Sequence, residues 1–235
     1  MLIRAYLPKI ITALFGGLFI AFGILTFDNG GIFDRVFLGV LLFTAIICRH
    51  DINVVSIVTI LLAQLLLEEL VWLFWLDNYI FKVSFYICGF WVAYTFRYDW
   101  GAKVTILCLI LASITELYWH VADYDAPMIF WHVWIMISNI TVRFLIFSRV
   151  GIVHSYFPKT AKSINLDWII YKLSGVVLTV QALMIVEYTV RHLSGINILT
   201  IYHSYPYLLR SISVFSVWAI FHENNKLLIP KLIKA

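Results

Sequence analysis

Apolar runs long enough to cross a bilayer recur along the whole chain, and no polar stretch between them is long enough to fold alone. A membrane-crossing helix needs about 20 predominantly apolar residues. Backbone groups in lipid must be satisfied within the protein, which leaves helices and closed barrels. The runs are continuous rather than alternating, which favours helices. We therefore predict an all-α, polytopic transmembrane helical bundle that forms a single domain over residues 1–235.

About eight spans are predicted, separated by short breaks that contain turn-forming residues. Gly195 is a predicted helix stop, and Pro158 prevents residues 148–167 from forming one continuous helix. Asn165 or Asp167 is expected to cap the helix that follows. The predicted spans are 8–27, 33–49, 53–76, 79–96, 103–122, 128–147, 167–191 and 199–221.

The distribution of lysine and arginine predicts the orientation of these spans. If the N-terminus is cytoplasmic and the spans alternate, eleven basic residues fall on the inner side and three on the outer side. Such a bias follows the positive-inside rule. It places both termini in the cytoplasm and fits a bacterial inner (plasma) membrane. The inner residues are Arg4, Lys9, Arg49, Arg97, Lys103, Arg149, Lys159, Lys162, Lys226, Lys231 and Lys234, and the outer ones are Arg35, Lys82 and Arg191.

The same scattering of basic residues argues against nucleic acid as a partner. The formal net charge is +4, but the basic side chains stand singly in short loops, so we predict no nucleic-acid interface. Arg4 and Lys9 precede the first apolar run, and no small-residue cleavage site follows it, which predicts an uncleaved anchor.

Acidic residues show the opposite distribution, which membrane topology does not require. Nine of the thirteen fall on or near the outer side, and His120, His132, His192 and His203 lie at outer helix ends. The sequence therefore predicts an outward-facing acidic and histidine-containing polar cluster. The outer acids are Asp28, Asp34, Glu68, Glu69, Asp77, Glu116, Asp123, Asp125 and Glu187, and the inner ones are Asp51, Asp99, Asp167 and Glu223.

Four of the outer carboxylates lie four or more residues inside predicted spans: Glu68, Glu69, Glu116 and Glu187. Glu116 is about 10 Å below its loop, at about 1.5 Å per residue. Carboxylates at such depth are costly and are candidates for function. Glu116 and His120 are four residues apart, so they share a helix face and could bind a divalent metal such as zinc. The alternative is a hydrogen-bonded pair that joins two helices.

Polar side chains at helical spacing extend this set. His132, Asn139 and Arg143 form one stripe, and His203 and Arg210 belong to another. They predict an internal polar network of arginines and carboxylates, whereas Glu187 is expected to pair with Arg191 four residues on. The complete candidate polar or ligand-binding set is Glu68, Glu69, Glu116, His120, His132, Glu187, His203, Arg143 and Arg210.

Aromatic residues near the predicted span ends are expected to form an interfacial belt, with an aromatic ligand pocket as the alternative. They are Trp72, Trp75, Tyr118, Trp119, Trp131, Trp134, Tyr202 and Tyr205.

The double glutamate in "EELVW", followed by histidines on later spans, resembles the CPBP-type intramembrane prenyl protease family. That family has EExxxR, then FxxxH, then a further histidine. Here Leu73 stands in place of the arginine, and Glu116 in place of the phenylalanine four residues before His120. The resemblance covers scattered positions. It implies a metal-dependent intramembrane hydrolase in which Glu68 activates water, assisted by His120 and by His132 or His203.

Several functions remain open at this point. The first is a subunit or accessory component of a membrane complex, with a homo-oligomer or other membrane subunits as partners besides the lipid bilayer. The second is a cation- or proton-coupled transporter or sensor, and the third is the hydrolase implied by the resemblance. Bis-histidine haem is a further possibility. Because the loops are short and no G-x-S-x-G or hydroxylase histidine box is present, the balance is against an enzyme. No catalytic residue can be assigned, and a divalent metal is the one cofactor suggested.

Overall fold

In the computed structural model the described part of the chain folds into eight α-helices, which confirms the predicted all-α class. The structure describes residues 2–26, 29–49, 51–74, 79–124, 129–195 and 199–234. The helices are α1 (Leu2–Leu25), α2 (Gly30–Ile47), α3 (Ile52–Phe74), α4 (Tyr79–Thr95), α5 (Trp100–Val121), α6 (Phe130–Tyr156), α7 (Asn165–Ser194) and α8 (Thr200–Lys234).

Four segments of these helices are long and apolar enough to cross a membrane. They are Ile52–Val71 in α3, Trp100–Val121 in α5, Phe130–Tyr156 in α6 and Asn165–Ser194 in α7. The chain is therefore an integral membrane protein. Membrane crossing by α1, α2, α4 and α8, the orientation and the identity of the membrane stay predictions.

Helix ends and starts around α7 coincide with the glycine, proline and capping residues that the sequence predicts there. Gly195 follows the last residue of α7 with a φ of 69°, a backbone region that favours glycine. Helix α6 ends at Tyr156, two residues before Pro158. Helix α7 begins at Asn165, and the Asp167 carboxylate accepts a hydrogen bond from the Ile164 N–H at 2.9 Å.

Helices α6 and α8 continue furthest beyond the ends of their predicted spans. Helix α6 continues to Tyr156, beyond the predicted end at 147, and α8 continues to Lys234, beyond 221. A predicted span ends where the apolar run ends. The helix itself can continue past that point, because polar residues do not break its backbone hydrogen bonds. The part of α6 beyond residue 147 carries Arg149, which the predicted spans place in a loop.

The chain divides into two compact units. Unit 1 comprises Met1–Ala63, Leu145–Leu173 and Leu209–Ala235, and unit 2 comprises Gln64–Phe144 and Ser174–Leu208. Helices α3, α6, α7 and α8 contribute a part to each unit. The single-domain organisation stays a prediction.

Unit 1 is organised around the guanidinium of Arg149, which is 1% exposed. Its Nε and Nη2 atoms donate to the two carboxylate oxygens of Asp167 at 2.5 and 2.6 Å. Nη1 donates to the Ser56 hydroxyl at 3.1 Å, and Nη2 to the Lys162 carbonyl at 2.7 Å. The Asn53 amide oxygen accepts a hydrogen bond from the Lys162 N–H, and its amide nitrogen donates one to the Thr160 carbonyl. These contacts fix the α6–α7 connection against the start of α3.

Unit 2 contains a second buried arginine, Arg143, which is 2% exposed. Its Nη2 atom donates to both oxygens of Asp99 at 2.8 and 3.0 Å, and Nε donates to one of them at 3.2 Å. Asp99 is also the N-cap of α5 and accepts from the Gly101 N–H at 2.7 Å. The guanidinium lies 5.1 Å from the Trp100 ring centroid, a cation–π distance.

The apolar core of unit 2 includes aromatic residues that the sequence predicts in the interfacial belt. Trp119 and Trp134 are 4% and 8% exposed. Trp134 packs edge-on against Phe85 at a centroid distance of 4.5 Å, and Trp119 packs edge-on against Tyr188 at 5.5 Å. Position near a span end therefore does not identify an interfacial side chain, because both indoles face other helices.

We expect Arg149→Ala to lower the free energy of unfolding by about 3 kcal/mol, because it leaves the partly buried Asp167 carboxylate without its cation. The measurement is reversible unfolding of the detergent-solubilised protein. Arg97→Ala is the matched control, since Arg97 is exposed, and it should change stability little. Adding Asp167→Asn to Arg149→Ala should recover part of the loss. Equal losses in the two single variants would contradict a structural role for the buried pair.

We expect Gly175→Ala to destabilise the protein, because its methyl group would lie 2.6 Å from Arg143 Nη1 and 3.1 Å from Trp100 Cζ2. The guanidinium is held by Asp99 and cannot move away without losing hydrogen bonds. Gly151→Ala is the control: a methyl group there would have nothing within 4 Å, and alanine is favoured over glycine in a helix by about 1 kcal/mol. Thermal unfolding should show a lower midpoint for the first variant and an unchanged or higher midpoint for the second.

Candidate functional site

Three polar side chains from α6, α7 and α8 form a continuous hydrogen-bonded chain inside unit 2. Gln181 is fully buried, and its Nε2 donates to the Tyr205 hydroxyl oxygen at 2.7 Å. Its Oε1 lies 2.9 Å from His132 Nδ1. Because an amide oxygen can only accept, Nδ1 of His132 must carry the proton in this arrangement. The His132 ring also packs edge-on against Tyr205, with centroids 5.2 Å apart.

Glu68 adds a carboxylate from α3 to this region. It accepts hydrogen bonds from Gln64 Nε2 at 2.9 Å and from the Ser138 hydroxyl at 3.1 Å, and it acts electrostatically on the Tyr205 hydroxyl. The neighbouring Glu69 is exposed, as a rotation of about 100° per residue requires. We refer to Glu68, Ser138, His132, Gln181 and Tyr205 as the polar cluster.

The polar cluster combines groups that exchange protons with groups that orient them. A carboxylate, an imidazole and a phenol are all titratable, whereas the amide and the hydroxyl hold hydrogen bonds at any pH. Histidine is the member of this set whose unperturbed pKa lies nearest to neutral pH. The sequence identifies Glu68 and His132. It places Tyr205 in the aromatic belt and offers Gln181 only as a polar group near the middle of a span. It does not reveal Ser138 or the partners of Gln181, because a neutral polar residue in an apolar run carries no signal of its partner.

The two residues predicted to bind metal lie in different environments. Glu116 is half-buried, and the Tyr86 hydroxyl and the Lys82 ammonium act on it electrostatically. His120 is exposed. Among the residues that the structure describes, no group of three or more His, Cys, Asp or Glu side chains could hold a metal ion. A metal at Glu116 and His120 stays a prediction.

Glu187 is engaged by the backbone of α8 and not by the arginine expected to pair with it. Its two carboxylate oxygens accept from the N–H groups of Ile201 and Tyr202 at 2.7 and 2.8 Å. These amides belong to the first turn of α8, where N–H groups lack intrahelical partners and the helix dipole favours an anion. The Arg191 guanidinium instead lies 5.6 Å from the ring centroids of Tyr188 and Tyr202.

The remaining predicted site residues lie outside the polar cluster. Arg143 binds Asp99, which the sequence assigns to the inner side, so its partner is not an outer carboxylate. Arg210, in unit 1, lies 5.9 Å from the Phe33 ring centroid. His203 is exposed and packs edge-on against Tyr202. The predicted outer acids Asp28, Asp77 and Asp125 and the predicted belt residue Trp75 lie outside the described residues.

Comparisons of the chain with protein-family models, with curated proteins and with solved structures found no match.

We expect Glu187→Ala to weaken the start of α8, since it removes the acceptor of two amide hydrogen bonds. Loss of a helix cap costs about 1 kcal/mol, so the unfolding midpoint should fall modestly. Hydrogen–deuterium exchange should accelerate in the peptide that contains Ile201 and Tyr202. Glu69→Ala removes an exposed carboxylate and should leave that peptide unchanged. Unchanged exchange in Glu187→Ala would exclude the capping role.

Proposed function

We propose that the protein is a proton-binding component of a membrane transport or sensing system, with the polar cluster as its proton site. One observation carries the proposal. His132 lies inside a helical membrane protein, and its hydrogen-bond and ring partners, Gln181 and Tyr205, are both uncharged. Ionisable side chains within membrane-crossing helices are costly and are candidates for function by default.

The partners of His132 differ in kind from those of the two buried arginines. Arg143 and Arg149 each face an aspartate at hydrogen-bonding distance, and arginine stays protonated at any physiological pH. Those charges are constant. The imidazole has no such fixed counter-charge in its hydrogen bond to Gln181 or its ring contact with Tyr205, so its protonation can change with pH or with a bound cation. In the Nδ1–H form, Nε2 is the atom that accepts the proton.

A second candidate function is a subunit of a larger membrane complex, which a different observation favours. Glu69 is exposed within the membrane-crossing segment Ile52–Val71. A carboxylate on such a surface is stabilised by reaching the interface or by meeting another chain.

The first candidate is tested by proton movement in proteoliposomes that enclose a pH-sensitive dye. Wild-type protein should dissipate an imposed pH gradient, and His132→Gln should slow it at least about a hundredfold, the lower end of the range typical for loss of a proton-transfer group. His203→Gln is the control, because His203 is also at the start of a helix but exposed.

A sensor need not conduct protons, so the same variants are also compared by thermal unfolding between about pH 5 and 8, where histidine titrates. A pH dependence that is present in wild type and in His203→Gln but lost in His132→Gln supports sensing. If wild type shows neither proton movement nor a His132-dependent profile, the proton proposal fails. A protein mass in detergent, after subtraction of the bound detergent, that is well above the 27.3 kDa of one chain and is lowered by Glu69→Gln would then favour the complex subunit.

A further inference from the structure

Unit 1 contains a groove between α1 and α8 whose walls are mostly apolar. Its volume is about 340 Å³, and it is lined by Gly23 and Ile24 of α1 and by Arg210, Ser211, Val214, Phe215 and Trp218 of α8. Ile24 and Phe215 are 63% and 52% exposed, so the groove is open at the protein surface. In a membrane protein an apolar surface of this kind faces lipid.

The two helices run antiparallel along the groove, and glycines allow their close approach. A methyl group on Gly16 would lie 2.6 Å from Trp218 Cδ1, and one on Gly23 would lie 3.2 Å from Val214 Cγ2. The earlier glycine of α1 thus contacts the later residue of α8, and the later glycine contacts the earlier residue, which shows that the two helices run in opposite directions. The groove extends from Arg210 to Trp218, eight residues or about 12 Å along α8.

Arg210 is the only charged side chain among the described residues that line the groove, and it lies at one end. Its guanidinium is 5.9 Å from the Phe33 ring centroid. Phe33 is three residues after the start of α2, and Gly23 is two residues before the end of α1. The cation is therefore within about one helical turn of the α1–α2 connection, where the predicted spans 8–27 and 33–49 meet the lipid headgroups of one leaflet. This position differs from the middle of the predicted span 199–221, so a headgroup at Arg210 requires the membrane-crossing part of α8 to start near this residue.

We propose that this groove binds an anionic phospholipid of the surrounding bilayer. Its phosphate oxygens contact the Arg210 guanidinium, which suits phosphate by its planar, forked donors. One acyl chain lies along Val214, Phe215 and Trp218. The order of the groups along the groove, with the cation at the level of the headgroups and apolar walls deeper, matches the order of headgroup and chain in a lipid. The site does not depend on the polar cluster, which lies in unit 2.

The test is lipid retention by the full-length protein in native mass spectrometry, with phosphatidylglycerol and phosphatidylcholine of identical acyl chains. Wild type should retain phosphatidylglycerol in preference. Arg210→Gln should weaken that retention about tenfold, the effect of losing one hydrogen bond to a charged group, and should abolish the preference. Arg35→Gln, which removes an exposed arginine from α2, should change neither. Equal retention of the two lipids by wild type would overturn the proposal.

A second pair of variants tests the acyl-chain part of the groove with little risk to folding. Phe215 and Phe43 are both 52% exposed, but Phe43 does not line the groove. Phe215→Ala should weaken phosphatidylglycerol retention several-fold, and Phe43→Ala should not. If both variants lose retention equally, the lipid contacts the surface at large and no groove site exists. If inorganic phosphate at the same concentration competes fully with the lipid, the site binds phosphate ions rather than a lipid.

Discussion

A charge buried in an apolar medium must be neutralised where it lies, and this requirement explains much of the arrangement of α6. The helix carries Arg143 and Arg149, both almost fully buried. Each binds an aspartate at or near the start of another helix, Asp99 at α5 and Asp167 at α7. The two aspartates also accept hydrogen bonds from backbone N–H groups of their own helix starts. A single carboxylate thus stabilises a helix terminus and holds that terminus to α6.

The same requirement distinguishes two kinds of polar group in the protein. Where an arginine meets an aspartate, the charges are fixed and the contact is structural. In the polar cluster, His132 meets an amide and a phenol, so a proton can be gained or lost without breaking an ion pair. The acidic excess predicted for the outer side therefore does not correspond to one site. It divides into a helix cap at Glu187, a cluster member at Glu68 and an exposed carboxylate at Glu69.

Much of the fold can be predicted from the sequence, because helices and their ends depend on local chemistry. Apolar runs of span length predict the eight helices, and Gly195 and Pro158 mark real ends. The partners of the polar residues cannot be predicted in this way. Arg143 and Asp99 are 44 residues apart, and Gln181 is 49 residues from His132, so only the packing of helices brings them together. The predicted spans place Arg149 in a loop, where the count of basic residues treats it as a topology signal. In the structure it belongs to a buried ion pair with Asp167, which the count cannot distinguish from a loop arginine.

The bond between Arg149 and Asp167 also has a consequence for how the chain enters the membrane during synthesis. The two residues are only 18 positions apart, so the loop between them closes at little entropic cost. Helices α6 and α7 can therefore join as a hairpin before α8 has left the ribosome. The two helices would then enter the bilayer with the arginine already paired to its carboxylate.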